Sequence, residues 1–533
     1  MPRPAVVIAA LVPALAGAHS FWIEEAVRAN LDIIKKKRHC EEAAPTEATV
    51  ASIQLGFNNG SLTSVELVRF YLDRISSLNP LLHAVIEVNP DALRQAAGAD
   101  VECCSGRHRR ARGALHGVPV LLKDNIATRD ALNTTAGSFV LLGSVVRRDA
   151  GVVRQLRHAG AVVLGKANMD EWANFRSFSG GGWSARGGKG GNPYVLSATP
   201  CGLSTGSAIA AAASMTAVTL GTETDGSILC PASLNSVVGI KPMVGLTSRA
   251  GVIPTTPRQA STGWHNKDRP ICRTVAHAVH VLDAIVGYDP VDAPATMAAS
   301  KYIPPGGYTQ FLKKDGLRGK RIGVPNGFFN FPNGNVQQMV YTQHLNTMRK
   351  QGAIVIEKLD IENLSVLLDS QNNGQQIALP AEFKLSLNSY LSNVLHSPVR
   401  SLAEIIAFNN AHPVEENMKE NGQTVFLVAE NTTGIGALER AAIRQLNKLS
   451  ANGLKKLMRE HELDAIMTPN NAASSVLAID GMPAITVPAG YGKQGVPFGL
   501  CFGGLRGYEP RLIEMAYAFE QVTMVRKPPT FLP

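Results

Sequence analysis

Ser227 is the residue of this sequence best placed to act as a nucleophile, because it follows a predicted tight turn. It lies in the segment GTETDGSI, residues 221–228, where Gly226 allows a sharp bend. Such a turn leaves backbone N–H groups without partners, and those of Thr224, Asp225 and Gly226 can form a concave site for an anion. A serine hydroxyl attacks a carbonyl when a base takes its proton and such donors receive the oxyanion. An ordinary polar loop is the alternative interpretation.

Lys123 is the candidate base. It follows the apolar run 118–122, which has the length of a buried strand, and open α/β sheets place their chemistry at the ends of such strands. Burial disfavours the charged form of a lysine and lowers its pKa, so that the neutral amine can accept a proton. A solvated lysine at the end of a strand is the alternative, since lysines are rarely buried.

The surrounding segments predict alternating helices and strands. Residues 207–215 are small and apolar enough for a buried helix, and 217–221 have the character of a short strand before the turn. A capping box begins a helix at Thr63, and a helix after Asp149 precedes another short strand. Residues 441–457 predict one long helix. Alternation of this kind indicates α/β layers.

Two segments match a known sequence pattern. Residues 201–207 read CGLSTGS and precede the GTETDGSI segment, and residues 171–176 read EWANFR. In these motifs the chain resembles the amidase signature family. Its motif sequences are most similar to those of peptide amidase and the probable amidases of plants. The resemblance extends from about residue 46 to the C-terminus.

This resemblance implies a fold and a reaction. The fold is a single large α/β/α domain over residues 46–533, with a twisted mixed β-sheet covered by helices. Ser227 would attack an amide carbonyl, Lys123 would be the base, and the turn N–H groups would hold the oxyanion. The implied substrate is a non-cyclic small-molecule or peptide amide, including peptide C-terminal amides. No cofactor is implied, and we expect no metal because the sequence contains no HExxH motif.

The bridging serine of the family is missing from its usual position. The family uses a Ser-Ser-Lys triad, and the middle serine falls on Leu203, whose side chain can neither pass a proton nor accept a hydrogen bond. Ser204 is a candidate substitute, although adjacent side chains usually point in different directions. A later acidic residue of the family is replaced by Ala260, and Trp264–Arg269 are inserted in what we expect to be a surface loop. We therefore expect impaired hydrolysis.

Two other functions remain open from the sequence. The first is a catalytically inactive amidase-like protein with a binding role, which the loss of the bridging hydroxyl would favour. The second is a protein like the amidase-type component of a tRNA-dependent amidotransferase, which shares the Ser-Lys pattern. The N-terminal leader and the similarity of the motifs to those of peptide amidase disfavour this second function.

The N-terminal residues predict a secretory pathway or extracellular location. Arg3, an apolar stretch over 5–15 and the small residues that follow are typical of a signal peptide, cleaved after Ala18 and followed by a linker helix over 19–45. A transit peptide or a retained apolar helix is the alternative. Sequons for N-glycosylation agree with the secretory route and lie at Asn59, Asn133, Asn363 and Asn431.

The composition restricts the partners. The chain has 533 residues and a net charge of +10, but its basic runs lack interleaved aromatic residues, so we expect no nucleic acid. Apart from the leader, no stretch is long and apolar enough to span a membrane. The seven cysteines, an odd number without regular spacing, predict mostly free thiols. The oligomeric state is left open.

Overall fold

A mixed β-sheet of eleven strands lies at the centre of the fold. The computed structural model describes residues 47–104, 113–177, 181–254, 268–332 and 335–531. The predicted signal peptide and linker lie outside these residues, as do Ala260 and residues 264–267.

The strands are numbered in chain order. They are β1 Val85–Val88, β2 Pro119–Lys123, β3 Val162–Ala167, β4 Trp183–Ser184, β5 Gly188–Lys189, β6 Val218–Thr222, β7 Val238–Lys241, β8 Asp268–Cys272, β9 Arg321–Pro325, β10 Ile354–Leu359, β11 Ala465–Pro469, β12 Ala484–Tyr491 and β13 Pro497–Gly503. The central sheet has the order β1-β3-β2-β6-β8-β7-β12-β13-β11-β9-β10, and β4 pairs with β5 separately. Strand β2 is parallel to β3 and β6, and β9 is parallel to β10 and β11. The remaining neighbours are antiparallel, so the sheet is mixed as predicted.

The helices are numbered in the same way. They are α1 Val50–Asn59, α2 Ser64–Leu82, α3 Ala92–Cys104, α4 Gly151–His158, α5 Thr205–Ala212, α6 Leu229–Leu234, α7 Val275–Ile285, α8 Ala293–Ser300, α9 Val336–Lys350, α10 Leu364–Leu368, α11 Gln375–Asn393, α12 Leu402–Ala411, α13 Met418–Asn421, α14 Thr424–Glu430, α15 Ala437–Ser450, α16 Lys456–Glu460, α17 Ser474–Ile479 and α18 Glu509–Thr523. Among the described residues, none of these helices has both the length and the apolar character needed to cross a bilayer.

Several interior strands of the sheet are apolar because both of their faces are covered. Every residue of β2, β3, β6 and β11 is buried. Successive side chains of a strand point to opposite faces, so burial at every position requires packing on both. This explains why residues 118–122 form a continuous apolar run instead of an alternating one.

Local sequence signals account for several helix boundaries. Thr63 caps α2 as predicted, since its hydroxyl accepts from the Glu66 N–H while the Glu66 carboxylate accepts from the Thr63 N–H. The predicted single helix over 441–457 is wrong, because the backbone leaves the helical conformation at Gly453. A Cβ at that position would lie 2.9 Å from Leu367 Cδ1, so the break accommodates the close approach of α10.

Candidate active site

Parallel strands bring the polar side chains of the site to one edge of the sheet. Lys123 is the last residue of β2 and Thr222 is the last residue of β6, while Asp170 lies shortly after the end of β3. Strand β2 lies between β3 and β6. The carboxyl ends of parallel strands meet at the same edge, so these three residues are brought together from distant parts of the chain.

The Lys123 side chain has no exposed surface. Its Nζ donates to the hydroxyl oxygen of Ser204 at 3.0 Å and to that of Thr222 at 2.9 Å, and a third contact to the Thr222 carbonyl oxygen measures 3.3 Å. The Asn125 amide also donates to the Thr222 hydroxyl, at 3.2 Å. The amine is therefore held in one orientation inside the protein, as a buried base requires.

Ser204 supplies the hydroxyl beside Lys123. Its Oγ donates to the Thr222 carbonyl oxygen at 3.0 Å and accepts from the Thr222 N–H at 3.2 Å. These bonds and the one from Lys123 fix the serine side chain against the end of β6. Sequence reasoning named Ser204 only as a candidate substitute, because the direction of its side chain depends on how the chain enters α5.

The Leu203 side chain does not join the hydrogen-bonded group around Lys123. It is partly buried and packs against an apolar cluster that includes Trp172, Phe383 and Phe426. Phe383 and Phe426 belong to the helical segment 328–440. The peptide bonds on both sides of Leu203 are trans. Leu203 therefore contributes an apolar side chain to this cluster.

Two glycines allow the close packing that places Ser204. A Cβ at Gly206, in the first turn of α5, would lie 2.3 Å from the Ala84 carbonyl oxygen. A Cβ at Gly221, in β6, would lie 2.8 Å from Ser204 Oγ and 2.7 Å from Ile228 Cδ1. Ser204 and the residue that follows Ser227 therefore flank the same glycine, which brings the two serine-bearing segments next to each other.

Ser227 lies at the end of a tight turn and is 1 % exposed. Gly226 has a φ of 72°, a left-handed conformation that glycine adopts readily. The Glu223 carboxylate accepts from the N–H groups of Ile228 and Leu229, at 2.7 and 3.1 Å, and holds the turn from inside. Within the described chain, the N–H groups of residues 224–227 donate to no protein acceptor. These groups could donate to an anion, and the anion site stays a prediction.

A disulfide joins the two serine-bearing segments. Cys201 and Cys230 are bonded, with a Cα–Cα distance of 5.7 Å, a pairing that the sequence analysis did not predict. Of the other described thiols, Cys272 and Cys501 are free as predicted. The odd number of cysteines concealed the pair, because its sequence separation of 29 carries no pattern of its own.

Buried charges lie beneath the turn that carries Ser227. Arg269 Nη1 is 3.8 Å from Glu223 Oε1, and both side chains are almost fully buried. Burial, with a smaller contribution from the charge of Arg269, lowers the pKa of Lys241 to about 7, while Glu223 and Asp225 act in the opposite direction. The expectation that Arg269 belongs to a surface loop is wrong, because it lies in β8, where its charge faces Glu223.

A second ionic group attaches the helical segment to this side of the sheet. Arg176 donates to Glu171 at 2.8 Å and to Glu416 at 3.1 Å, and all three side chains are buried. Burial raises the pKa of Glu171 well above its ordinary range, and the nearby charge of Glu416 adds to this effect. Removal of the arginine would leave two buried carboxylates without their cation.

Asp170 is a buried carboxylate beside the lysine. Its Oδ2 accepts from the Gly182 N–H at 3.1 Å, and its own N–H donates to the Leu203 carbonyl oxygen at 3.3 Å. Burial raises the pKa of Asp170 to about 6, although the Gly182 N–H and the charge of Lys123 favour the ionised form. Sequence reasoning missed Asp170 and Thr222. Asp170 follows β3 and Thr222 ends β6, but no local pattern in the sequence shows that these strands are the neighbours of β2.

No group of His, Cys, Asp and Glu side chains in the described part of the chain has the arrangement of a metal site. The polar groups of this region are hydrogen-bonded to one another through Lys123, Ser204 and Thr222.

The fold and these side chains define an amide-hydrolysing class of α/β enzyme, and the comparisons with known proteins agree. The family model described as Amidase matches residues 66–479. The chain belongs to the amidase signature family, and it is an amidase.

Individual relatives and solved structures are similar over most of their length. A probable amidase of Arabidopsis thaliana is 58 % identical over 487 residues, covering 91 % of this chain and 92 % of the relative. The structure of native peptide amidase from Stenotrophomonas maltophilia is 42 % identical with a TM-score of 0.83, covering 91 % of this chain and 99 % of that one. A glutamyl-tRNA(Gln) amidotransferase component of Microcystis aeruginosa is more distant, at 29 % identity over 506 residues, 87 % of this chain and 95 % of the relative.

The variant Asp170→Asn should be more stable than the parent protein at neutral pH but not in acid. Because burial raises the pKa of Asp170 to about 6, the folded state retains the proton while the unfolded state loses it near pH 4. The parent therefore loses stability as the pH rises from about 4 to about 6. The free energy of unfolding of Asp170→Asn should exceed that of the parent by about 1–3 kcal/mol at pH 7.5 and equal it at pH 4.

Urea unfolding at several pH values measures this difference. Asp91→Asn is the matched control, since Asp91 is an exposed carboxylate whose hydrogen bond to Arg94 lowers its pKa. That variant should gain no stability as the pH rises. A stability difference for Asp170→Asn that does not depend on pH would contradict the buried, proton-retaining state of this carboxyl.

Proposed function

We propose that this amidase hydrolyses non-cyclic amides, including peptide C-terminal amides, with Ser227 as nucleophile and Lys123 as base. The observation that carries the proposal is the 3.0 Å hydrogen bond between Lys123 Nζ and Ser204 Oγ inside a fully buried site. The preference for peptide amides is supported by the similarity to a protein named peptide amidase.

The proposed reaction begins with transfer of a proton from Ser227. Neutral Lys123 takes the hydroxyl proton of Ser204, and Ser204 takes that of Ser227 as the Ser227 oxygen attacks the amide carbon. The N–H groups of Thr224, Asp225 and Gly226 receive the oxyanion. Protonated Lys123 then returns the proton, through Ser204, to the leaving amine as the carbon–nitrogen bond breaks. Water hydrolyses the acyl-enzyme by the same steps.

The hydrogen bonds of Ser204 support the proposal of reduced activity. Its hydroxyl proton points to the Thr222 carbonyl oxygen, so the transfer to Lys123 requires that this bond break and the hydroxyl rotate. Loss of a buried hydrogen bond costs about 0.5–1.5 kcal/mol, which slows each proton transfer. Leu203 provides no second hydroxyl that could take over. We therefore propose an enzyme that is active but slower than a relative with the serine in place.

A second candidate function is an amidase-like binding protein without turnover. It is favoured by one observation, the apolar Leu203 side chain at the position of the bridging serine. Such a protein would keep the concave turn around Ser227 as a site for an amide ligand.

We also propose a secretory pathway or extracellular location. Residues 1–18 support it, because a charged residue, an apolar stretch and small residues follow one another as in a signal peptide. The disulfide between Cys201 and Cys230 also supports it, because disulfides persist mainly in oxidising compartments.

Ser204→Ala should lower kcat on a peptide C-terminal amide by about 10- to 100-fold, because it removes the hydroxyl between the base and the nucleophile. Ser207→Ala is the matched control. Ser207 is a buried serine of the same motif, but its Oγ donates to the Leu220 carbonyl oxygen and has no contact with Lys123. Steady-state kinetics of both variants give the comparison. Equal losses of kcat would remove Ser204 from the proposed relay.

Leu203→Ser should raise kcat about tenfold over the parent, because it restores a hydroxyl at the family's bridging position. The same kinetic assay, extended to aryl amides, measures the gain. A parent and a variant of equal activity would contradict our explanation of reduced turnover. If neither protein hydrolyses any amide and Ser227 does not react with an electrophilic serine probe, the binding role replaces the hydrolytic one.

A further inference from the structure

We propose that the Cys201–Cys230 disulfide positions Ser204 against Lys123, so that its reduction lowers the rate of amide hydrolysis while the fold stays intact. The inference rests on the function proposed above, since the position of Ser204 affects turnover only if Lys123 is the base. The two cysteines are positioning residues, because they act through Ser204.

The disulfide ties together the segments that carry the two serines. Cys201 lies shortly before Ser204 and Cys230 lies shortly after Ser227, and the bond spans 29 residues of sequence. Cys230 belongs to α6, whose first turn is fixed by the Glu223 carboxylate. The bond therefore anchors the loop before α5 to a helix that is already held.

The backbone of this loop is held in a conformation that it would not adopt freely. Cys201 has a φ of 58° and Gly202 a φ of 65°, both in the left-handed region. A cysteine is disfavoured there because its Cβ crowds the following carbonyl. A Cβ at Gly202 would lie 2.4 Å from Pro231 Cδ, so the loop lies directly against α6. Release of Cys201 lets the strained backbone relax and changes the direction in which the chain enters Ser204.

The other contacts explain why the effect should be local. Asn235 Nδ2 donates to the Pro200 carbonyl oxygen at 2.8 Å, which keeps the loop near α6 after reduction. The hydrogen bonds of Ser204 Oγ measure 3.0 to 3.2 Å, so a small displacement of the loop is enough to weaken them. We therefore expect a loss of turnover without unfolding.

The redox step balances with a simple dithiol reagent. Cys201 is partly exposed, and Cys230 is 8 % exposed. A thiolate of dithiothreitol attacks the disulfide, its second thiolate displaces the remaining cysteine, and the reagent closes to a cyclic disulfide. Two electrons and two protons pass to the protein, which gains two thiols.

The first experiment compares the kinetics of the oxidised and reduced protein on a peptide C-terminal amide, with a thiol count and circular dichroism on each sample. We expect kcat to fall about tenfold and KM to change less than about twofold, because the displaced group acts in proton transfer and not in substrate binding. Reoxidation should restore kcat. The double variant Cys201→Ser/Cys230→Ser should have the low kcat and should not respond to dithiothreitol. Cys272→Ala, at a free cysteine in β8, should keep the full response.

A second measurement does not depend on activity. The Thr222 N–H donates to Ser204 Oγ at 3.2 Å, so displacement of Ser204 should speed the exchange of this amide hydrogen with deuterium. Peptides that cover β6 should exchange faster after reduction, while those that cover β11 should not change.

The outcomes separate the two proposals. Unchanged kcat and unchanged exchange in a fully reduced protein would overturn the positioning role. Loss of the circular dichroism signal on reduction or in the double variant would also overturn it, since the disulfide would then support the whole fold. If the oxidised protein hydrolyses no amide, the proposed function fails, while the exchange measurement still tests the role of the disulfide.

Discussion

A lysine side chain with no contact to water must find acceptors for its N–H groups within the protein. For Lys123 these acceptors are the Ser204 hydroxyl and the hydroxyl and carbonyl oxygens of Thr222. The order of the strands supplies this environment, because β2 lies between its two parallel neighbours. The close packing at Gly206 and Gly221 follows from the same requirement, since Ser204 must reach the end of β6.

Leu203 and Ser204 are adjacent in sequence, but their side chains lie in different surroundings. Leu203 joins the apolar cluster of the helical segment 328–440, and Ser204 takes the position beside the lysine. The amine keeps a hydroxyl partner, but that hydroxyl is shared with the Thr222 carbonyl oxygen. The buried amine is therefore satisfied by a hydroxyl that has a second hydrogen-bond partner of its own.

Much of the fold and part of the site can be predicted from the sequence. The strand before Lys123 and the turn before Ser227 are local patterns, so apolar runs and glycine positions reveal them. Asp170 and Thr222 depend on which strands become neighbours, and no local pattern states that. The disulfide depends on one pairing among seven cysteines. The burial of Arg269 depends on the charge of Glu223, which is distant in sequence. Contacts between distant segments are what the sequence alone leaves undetermined.

The most direct test of the central claim is the rate at which a fluorophosphonate probe labels the protein, with the modified residue identified by mass spectrometry. If the buried amine of Lys123 activates Ser227, the adduct forms on Ser227, and Lys123→Met, which keeps the apolar stem without the amine, should label at least about 100-fold more slowly. Circular dichroism establishes that this variant is folded. Equal labelling rates in the parent and in Lys123→Met, or an adduct on a residue other than Ser227, would contradict the account.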